Sequence, residues 1–177
     1  HGGGRGELIA KAVGIKKDYT PHIMDATAGL GGDAFVLANL GCTLQLYERA
    51  PIAHALLQDG LVRALQTADI AHIAARMQLH WQDAHTALHH PPPADVVYLD
   101  PMFPDKSKSA LAKKTMQAFQ HCIGDDADAA QLLRLAQYRA TKRVVVKRPR
   151  HGAFLADTPP AYQYLGKSTR FDVYLPL

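Results

Sequence analysis

Five apolar runs bounded by turn residues recur along the chain: HIMDAT (22–27), CTLQLYER (42–49), MQLHWQDA (77–84), DVVYLDP (95–101) and RVVVKRP (143–149). Their length and their share of β-branched and aromatic residues predict buried strands. Between them, 33–40, 52–65 and 109–123 read as helices. In the last, Leu111, Thr115, Phe119 and Cys122 share one face, while Lys113, Gln117 and Gln120 fall largely elsewhere. Strand and helix in alternation predict βαβ units around a parallel sheet, an α/β fold. The end of the chain differs. YQYLGKSTRFDVYLPL offers two short strand-like runs, 162–165 and 170–175, whose connection is too short for a crossover helix, so an antiparallel hairpin is expected there.

A chain of 177 residues, 47% hydrophobic, can bury a substantial core, and its length fits one domain over 1–177. No repeat is visible. GGGRG (2–6) suits a linker and a functional loop equally, and PPP (91–93) reads as a stiff lead into the strand at 95. Lysine and arginine outnumber acids 20 to 16, which is compatible with a polyanionic partner but does not demand one. Cys42 and Cys122 are far apart without CxxC spacing, so neither a disulfide framework nor a zinc site is indicated, and a reducing, cytoplasmic setting is expected. No apolar run approaches the roughly 18 residues of a membrane span. The chain opens on His1, so targeting is not read from it. His85 and His89 have the i, i+4 spacing of paired ligands, but no third ligand is evident and no metal is expected. Trp81, at a strand end, is expected in the core.

In IMDATAGLGGDA, Gly29-Leu30-Gly31-Gly32-Asp33-Ala34 follows a predicted strand and opens a predicted helix, as a G-x-G-x-x-A nucleotide-binding turn does. Glu48 lies about 20 residues on, at the end of the second strand, where it suits ribose hydroxyls. The alternative is a tight turn beside a surface acid. Asp25 argues against phosphates: a carboxylate there would repel a pyrophosphate, whereas S-adenosylmethionine carries no phosphate and brings an ammonium. Asp83 either accepts from an adenine amino group or caps the helix starting near His85.

Ligands in an open α/β sheet sit beyond the carboxyl ends of its strands, so Asp100, ending the fourth run, faces the same crevice as Gly29 and Glu48. Pro101 and Pro104 stiffen the exit and Phe103 offers a face for a base. These parts suit methylation of an exocyclic amine: a carboxylate and a backbone carbonyl accept its N–H bonds, and catalysis is positioning. Otherwise Asp100 is a turn residue and Phe103 a core aromatic. Lys106, Lys108, Lys113 and Lys114, with Lys147, Arg148 and Arg150, form two basic clusters that are candidate phosphate contacts, although Lys113 and Lys114 suit a solvated helix face as well.

DATAGLGGDAFVLANLGC, YER, VVYLDPMFPDKSKSALAKK and ATKRVVVKRP together resemble the ribosomal RNA small subunit methyltransferase J family. The resemblance runs from about Gly2 to the end and implies a class I methyltransferase that uses S-adenosylmethionine, leaving S-adenosylhomocysteine, to methylate N2 of one guanine in 16S rRNA. It further implies a Rossmann-like seven-stranded sheet with its last strand antiparallel, a partner in 16S rRNA or the small ribosomal subunit, a flipped base, and an amino-terminal extension in relatives. Cofactor contacts are implied at Gly32 and Asp33, Glu48 and Arg49, Asp83 and Ala84, and Asp100. The chain departs from the family pattern at Gly32, where relatives carry arginine, at Asp83-Ala84, where they carry small hydroxyl residues, and at Met102, where amino-methylases place a second proline. The competing readings are a DNA or protein amino-methylase, an NAD(P)-dependent oxidoreductase and a non-catalytic RNA-binding module.

Overall fold

The computed structural model describes residues 7–89, 93–101 and 126–177. Strands β1 (His22–Asp25), β2 (Thr43–Glu48), β3 (Met77–Trp81), β4 (Ala94–Leu99), β5 (Ala140–Pro149), β6 (Tyr162–Leu165) and β7 (Thr169–Tyr174) form one sheet, ordered β3-β2-β1-β4-β5-β7-β6. The first five are parallel. Strand β7 runs antiparallel between β5 and β6, as the terminal hairpin required.

Helices α1 (Leu8–Val13), α2 (Gly32–Asn39), α3 (Pro51–Leu65), α4 (Ala71–Ala74), α5 (Ala84–His89) and α6 (Asp126–Arg139), with a short 3-10 helix over Leu155–Asp157, complete the described elements. The helix expected over 109–123 lies outside the described residues. Helices α1, α4 and α6 were not foreseen: α1 and α4 are short, and among its described side chains α6 offers only Leu132, Leu133 and Ala136 as buried apolar anchors.

Strand periodicity divides the core. Ile23, Leu46, Val96, Tyr98 and Val145 pack with the α1–α4 side, whereas Met24, Tyr47, Val97, Leu99, Val144 and Val146 pack with α5 and α6. Central strands buried on both faces explain why β4 and β5 read as continuous apolar runs rather than alternating ones. Fully burying each such side chain contributes roughly 1.5–3 kcal/mol relative to exposure.

Beyond the apolar layers, a buried ionic cluster ties the hairpin to the end of β5. Arg170 and Asp172, 4% and 0% exposed, pair at 2.9 Å, and Arg170 Nη1 donates to the carbonyls of Pro149, Arg150 and Gly152. Arg148, 2% exposed, donates from Nε to the carbonyl of Ala153 at 2.8 Å. The expectation that Arg148 meets RNA phosphate is therefore corrected: period-2 alternation turns it into the interior. Arg150 is half-buried and donates to the carbonyl of Gly166 at 3.1 Å, which holds the turn between β6 and β7.

Among the described residues, no helix is long and apolar enough to cross a membrane.

Candidate active site

The glycine turn is built as its sequence requires. Gly29 and Gly31 have φ of +54° and +76°, a region costly for residues with a Cβ. A Cβ on Gly31 would also lie 2.7 Å from Leu57 Cδ1, whereas one on Gly29 or Gly32 would meet nothing within 4 Å. One side of the turn is thus packed and the other open, which suits close approach of a ligand.

The turn is stitched to both neighbouring strands. Ala26 N–H donates to the carbonyl of Tyr98 on β4 (3.1 Å), Ala28 N–H to that of Tyr47 on β2 (3.1 Å), and Asp100 N–H to Thr27 Oγ1 (2.6 Å). Glu48 spans the adjoining gap: Oε2 accepts from Gly29 N–H at 2.8 Å and Oε1 from Ala50 N–H at 2.7 Å. A carboxylate has about four lone-pair sites, so ribose hydroxyls can still donate to it.

At the far side, Arg49 Nη1 pairs with Asp83 Oδ2 at 3.1 Å, and Asp83 Oδ1 accepts from His85 N–H at 2.9 Å. Asp83 therefore caps α5, one of the two roles open to it, with Ala84 as that helix's first residue. Trp81 is 67% exposed and donates from its indole nitrogen to the Arg49 carbonyl at 3.2 Å. Its expected place in the core is corrected, because β3 is the edge strand and Trp81 ends it.

The centre of the site is an acid cluster with a cation in it. Register pairs Leu99 with Val146, so Asp100 and Lys147 follow side by side. Lys147 Nζ lies 2.7 Å from Asp33 Oδ2 and 3.0 Å from Asp100 Oδ2. Tyr98 Oη, from a side chain in the core, donates to the same Asp33 oxygen at 2.6 Å. Lys147, expected among the phosphate contacts, turns its ammonium to these two carboxylates. Burial works against its charge, but hydrogen bonding and attraction from Asp33 and Asp100 outweigh it and raise its pKa. Burial lifts Asp100 above the ordinary carboxylate range; Lys147 opposes that shift and Asp33 adds to it. The Asp100 side chain keeps 40% exposure, so it opens toward the crevice.

Asp25 is 2% exposed, and burial raises its pKa to about 7. A hydrogen bond from Thr27 N–H opposes the shift, while Asp33, Asp100 and Glu48 add to it by repulsion. A folded-state pKa above the unfolded value near 3.9 means that the native protein binds this proton more tightly. Asp25 thus costs no stability below about pH 4, and its cost grows to a plateau above pH 7. Asp25→Asn retains an acceptor for Thr27 N–H, so thermal melts should show a higher Tm than wild type at pH 8 and little difference at pH 4.5. Equal melts at pH 8 would place no ionised carboxylate there.

Phe103, Pro104, Lys106, Lys108, Lys113 and Lys114 lie outside the described residues. Pro101 is half-buried at the exit of β4. Among the described residues, no group of three His, Cys, Asp or Glu side chains is placed to hold a metal ion.

A family model described as "Putative SAM-dependent methyltransferase" matches residues 1–176. Ribosomal RNA small subunit methyltransferase J of Laribacter hongkongensis is 58% identical over 99% of this chain, and that of Pectobacterium atrosepticum 56% identical over 99%. The chain spans 63% of the first relative's length and 72% of the second's. The crystal structure of a SAM-dependent methyltransferase from Neisseria gonorrhoeae superposes with a TM-score of 0.80 at 46% identity, covering 96% of this chain and 71% of that one. With the strand order, the glycine turn and the acid ending β4 already in place, these matches give one answer: the chain belongs to the ribosomal RNA small subunit methyltransferase J family of SAM-dependent methyltransferases.

Proposed function

We propose that this chain is a single methyltransferase domain that binds S-adenosylmethionine and methylates the exocyclic N2 amino group of a guanine in 16S rRNA. The observation that carries the reading is Asp100, half-open at the end of β4 and linked through Lys147 to Asp33 beside the glycine turn. Relatives named for small-subunit rRNA methylation support the substrate class, and the resemblance supports the guanine nitrogen.

The residues present fit the cofactor. Open space beside Gly29 and Gly32 admits it, Glu48 suits its ribose, and Arg49, Asp83 and Ala84 border its base. Gly31 shapes the turn, and Asp33, which keeps 29% of its side chain exposed, favours its ammonium; the expectation that Asp25 does so is corrected, because at 2% exposure it lies beneath the site. An exposed carboxylate there would repel a dinucleotide's pyrophosphate. When bound, S-adenosylmethionine supplies an electrophilic methyl group on a sulfonium, and displacement leaves the bonding pair on sulfur as S-adenosylhomocysteine.

An aromatic amine is a weak nucleophile because its lone pair is delocalised. Asp100, accepting one N–H bond, favours the pyramidal nitrogen, and the carbonyl at Pro101 is the second acceptor. Nitrogen contributes its lone pair to the new N–C bond and gives up one proton, which passes through the exposed carboxylate to water. Phe103 stacks the base, which must leave its helix to reach the cleft. Lys106, Lys108 and Arg150 contact phosphates.

Calorimetry should show S-adenosylmethionine binding without NAD binding. Tritium from labelled cofactor should then enter guanine N2 of undermethylated small subunits or their free rRNA, and the two substrates run side by side identify the preferred one. NAD binding without S-adenosylmethionine binding would overturn the cofactor, and label elsewhere would overturn the target.

A further inference from the structure

Lys147 has a structural role that a phosphate contact does not explain. Its ammonium lies between two carboxylates of different elements, Asp33 at the start of α2 and Asp100 beyond β4, at 2.7 and 3.0 Å. The Asp33 end is itself anchored by the hydroxyl of Tyr98, whose residue is 1% exposed. The lysine therefore reaches Asp100 from a fixed support, and strand register rather than a flexible stem sets its height beside Asp100.

Resting on the reading of Asp100 as the carboxylate that meets the acceptor amine, we propose that Lys147 is a positioning residue: its ammonium, braced on Asp33, holds the Asp100 carboxylate ionised and aimed into the cleft.

The groups facing this pair make such a cation necessary. Asp25 faces it from β1, Asp33 from α2 and Tyr98 from β4, with Glu48 on β2 coupled to the cluster through Asp25. All are acids or a phenol. Burial, with repulsion from Asp33, drives Asp100 toward its protonated form, which has lost one acceptor site and offers a donor where the amine also donates. Lys147 works in the opposite direction. Arg49, also at the cleft, pairs with Asp83 at 3.1 Å.

The test is carbon-13 NMR of the full chain labelled at aspartate Cγ, with Asp100→Asn to assign the resonance. In Lys147→Met the Asp100 titration midpoint should move up by about one pH unit or more, a tenfold change in proton affinity. Lys147→Arg should restore most of it, and Lys147→Gln repeats the loss with a polar side chain should Met perturb folding. In methyl-transfer assays the acidic limb of kcat should move with the midpoint while the KM for rRNA stays near wild type. An unmoved Asp100 midpoint in both neutral variants overturns the proposal. So does a raised KM with an unmoved pH profile, which would assign Lys147 to RNA phosphate. A midpoint that moves in a protein carrying no methyl to rRNA would instead sink the functional reading and leave the lysine bridge standing.

Discussion

Asparagine at position 100 is expected to slow methyl transfer by at least about a hundredfold while changing S-adenosylmethionine affinity by less than about tenfold. The substitution is nearly isosteric, and the backbone N–H of residue 100 keeps its bond to Thr27 Oγ1, so the exit of β4 is retained. What is lost is negative charge at the point where the acceptor nitrogen becomes more positive as it attacks. An amide oxygen accepts a weaker hydrogen bond than a carboxylate, and the amide nitrogen can present a donor to the amine. Lys147 also loses one of its two carboxylate partners, although the bond to Asp33 remains. Single-turnover tritium transfer at saturating cofactor separates this from binding. Turnover within a few-fold of wild type would remove Asp100 from the acceptor side.

The second large effect is expected in binding. Glu48→Gln should weaken S-adenosylmethionine at least about tenfold, read by calorimetry, and should lower stability by about 1–3 kcal/mol. Both carboxylate oxygens of Glu48 accept backbone N–H groups, from Gly29 and Ala50. Glutamine has one oxygen for two donors, so either orientation turns its NH2 toward a backbone N–H. The glycine turn must then shift or leave a donor unsatisfied, and the ribose loses a charged acceptor. Unchanged affinity would mean that the cofactor's ribose lies elsewhere.

Much of this site could be read from residue order, because it depends on strand ends. Asp25, Glu48, Asp83 and Asp100 each terminate or follow a strand, and parallel strands bring their carboxyl ends to one edge. Gly29 and Gly31 were legible because turns with positive φ select glycine. Arg148 was misread for a physical reason: KRPR has the composition of a solvated basic patch, yet a strand sends neighbouring side chains to opposite faces. Period-2 alternation through Val144–Arg148 was the available signal, placing Lys147 with Val145 on the α2 side and Arg148 with Val146 on the other. Trp81 was misplaced because strand order, which makes β3 an edge, emerges only from tertiary pairing. The contact of Asp33 with Tyr98, 65 positions apart, likewise has no local signature.

The stitching of Ala26, Thr27 and Ala28 to Tyr98, Asp100 and Tyr47 makes the glycine turn and the Asp100 carboxylate parts of one unit. Their mutual alignment is then settled when the chain folds, and the entropy of bringing them together is not charged to each catalytic cycle. Adjustment during turnover falls to the reactants and to whatever covers them, so a lesion at Thr27, whose hydroxyl oxygen accepts from Asp100 N–H, should misalign both at once.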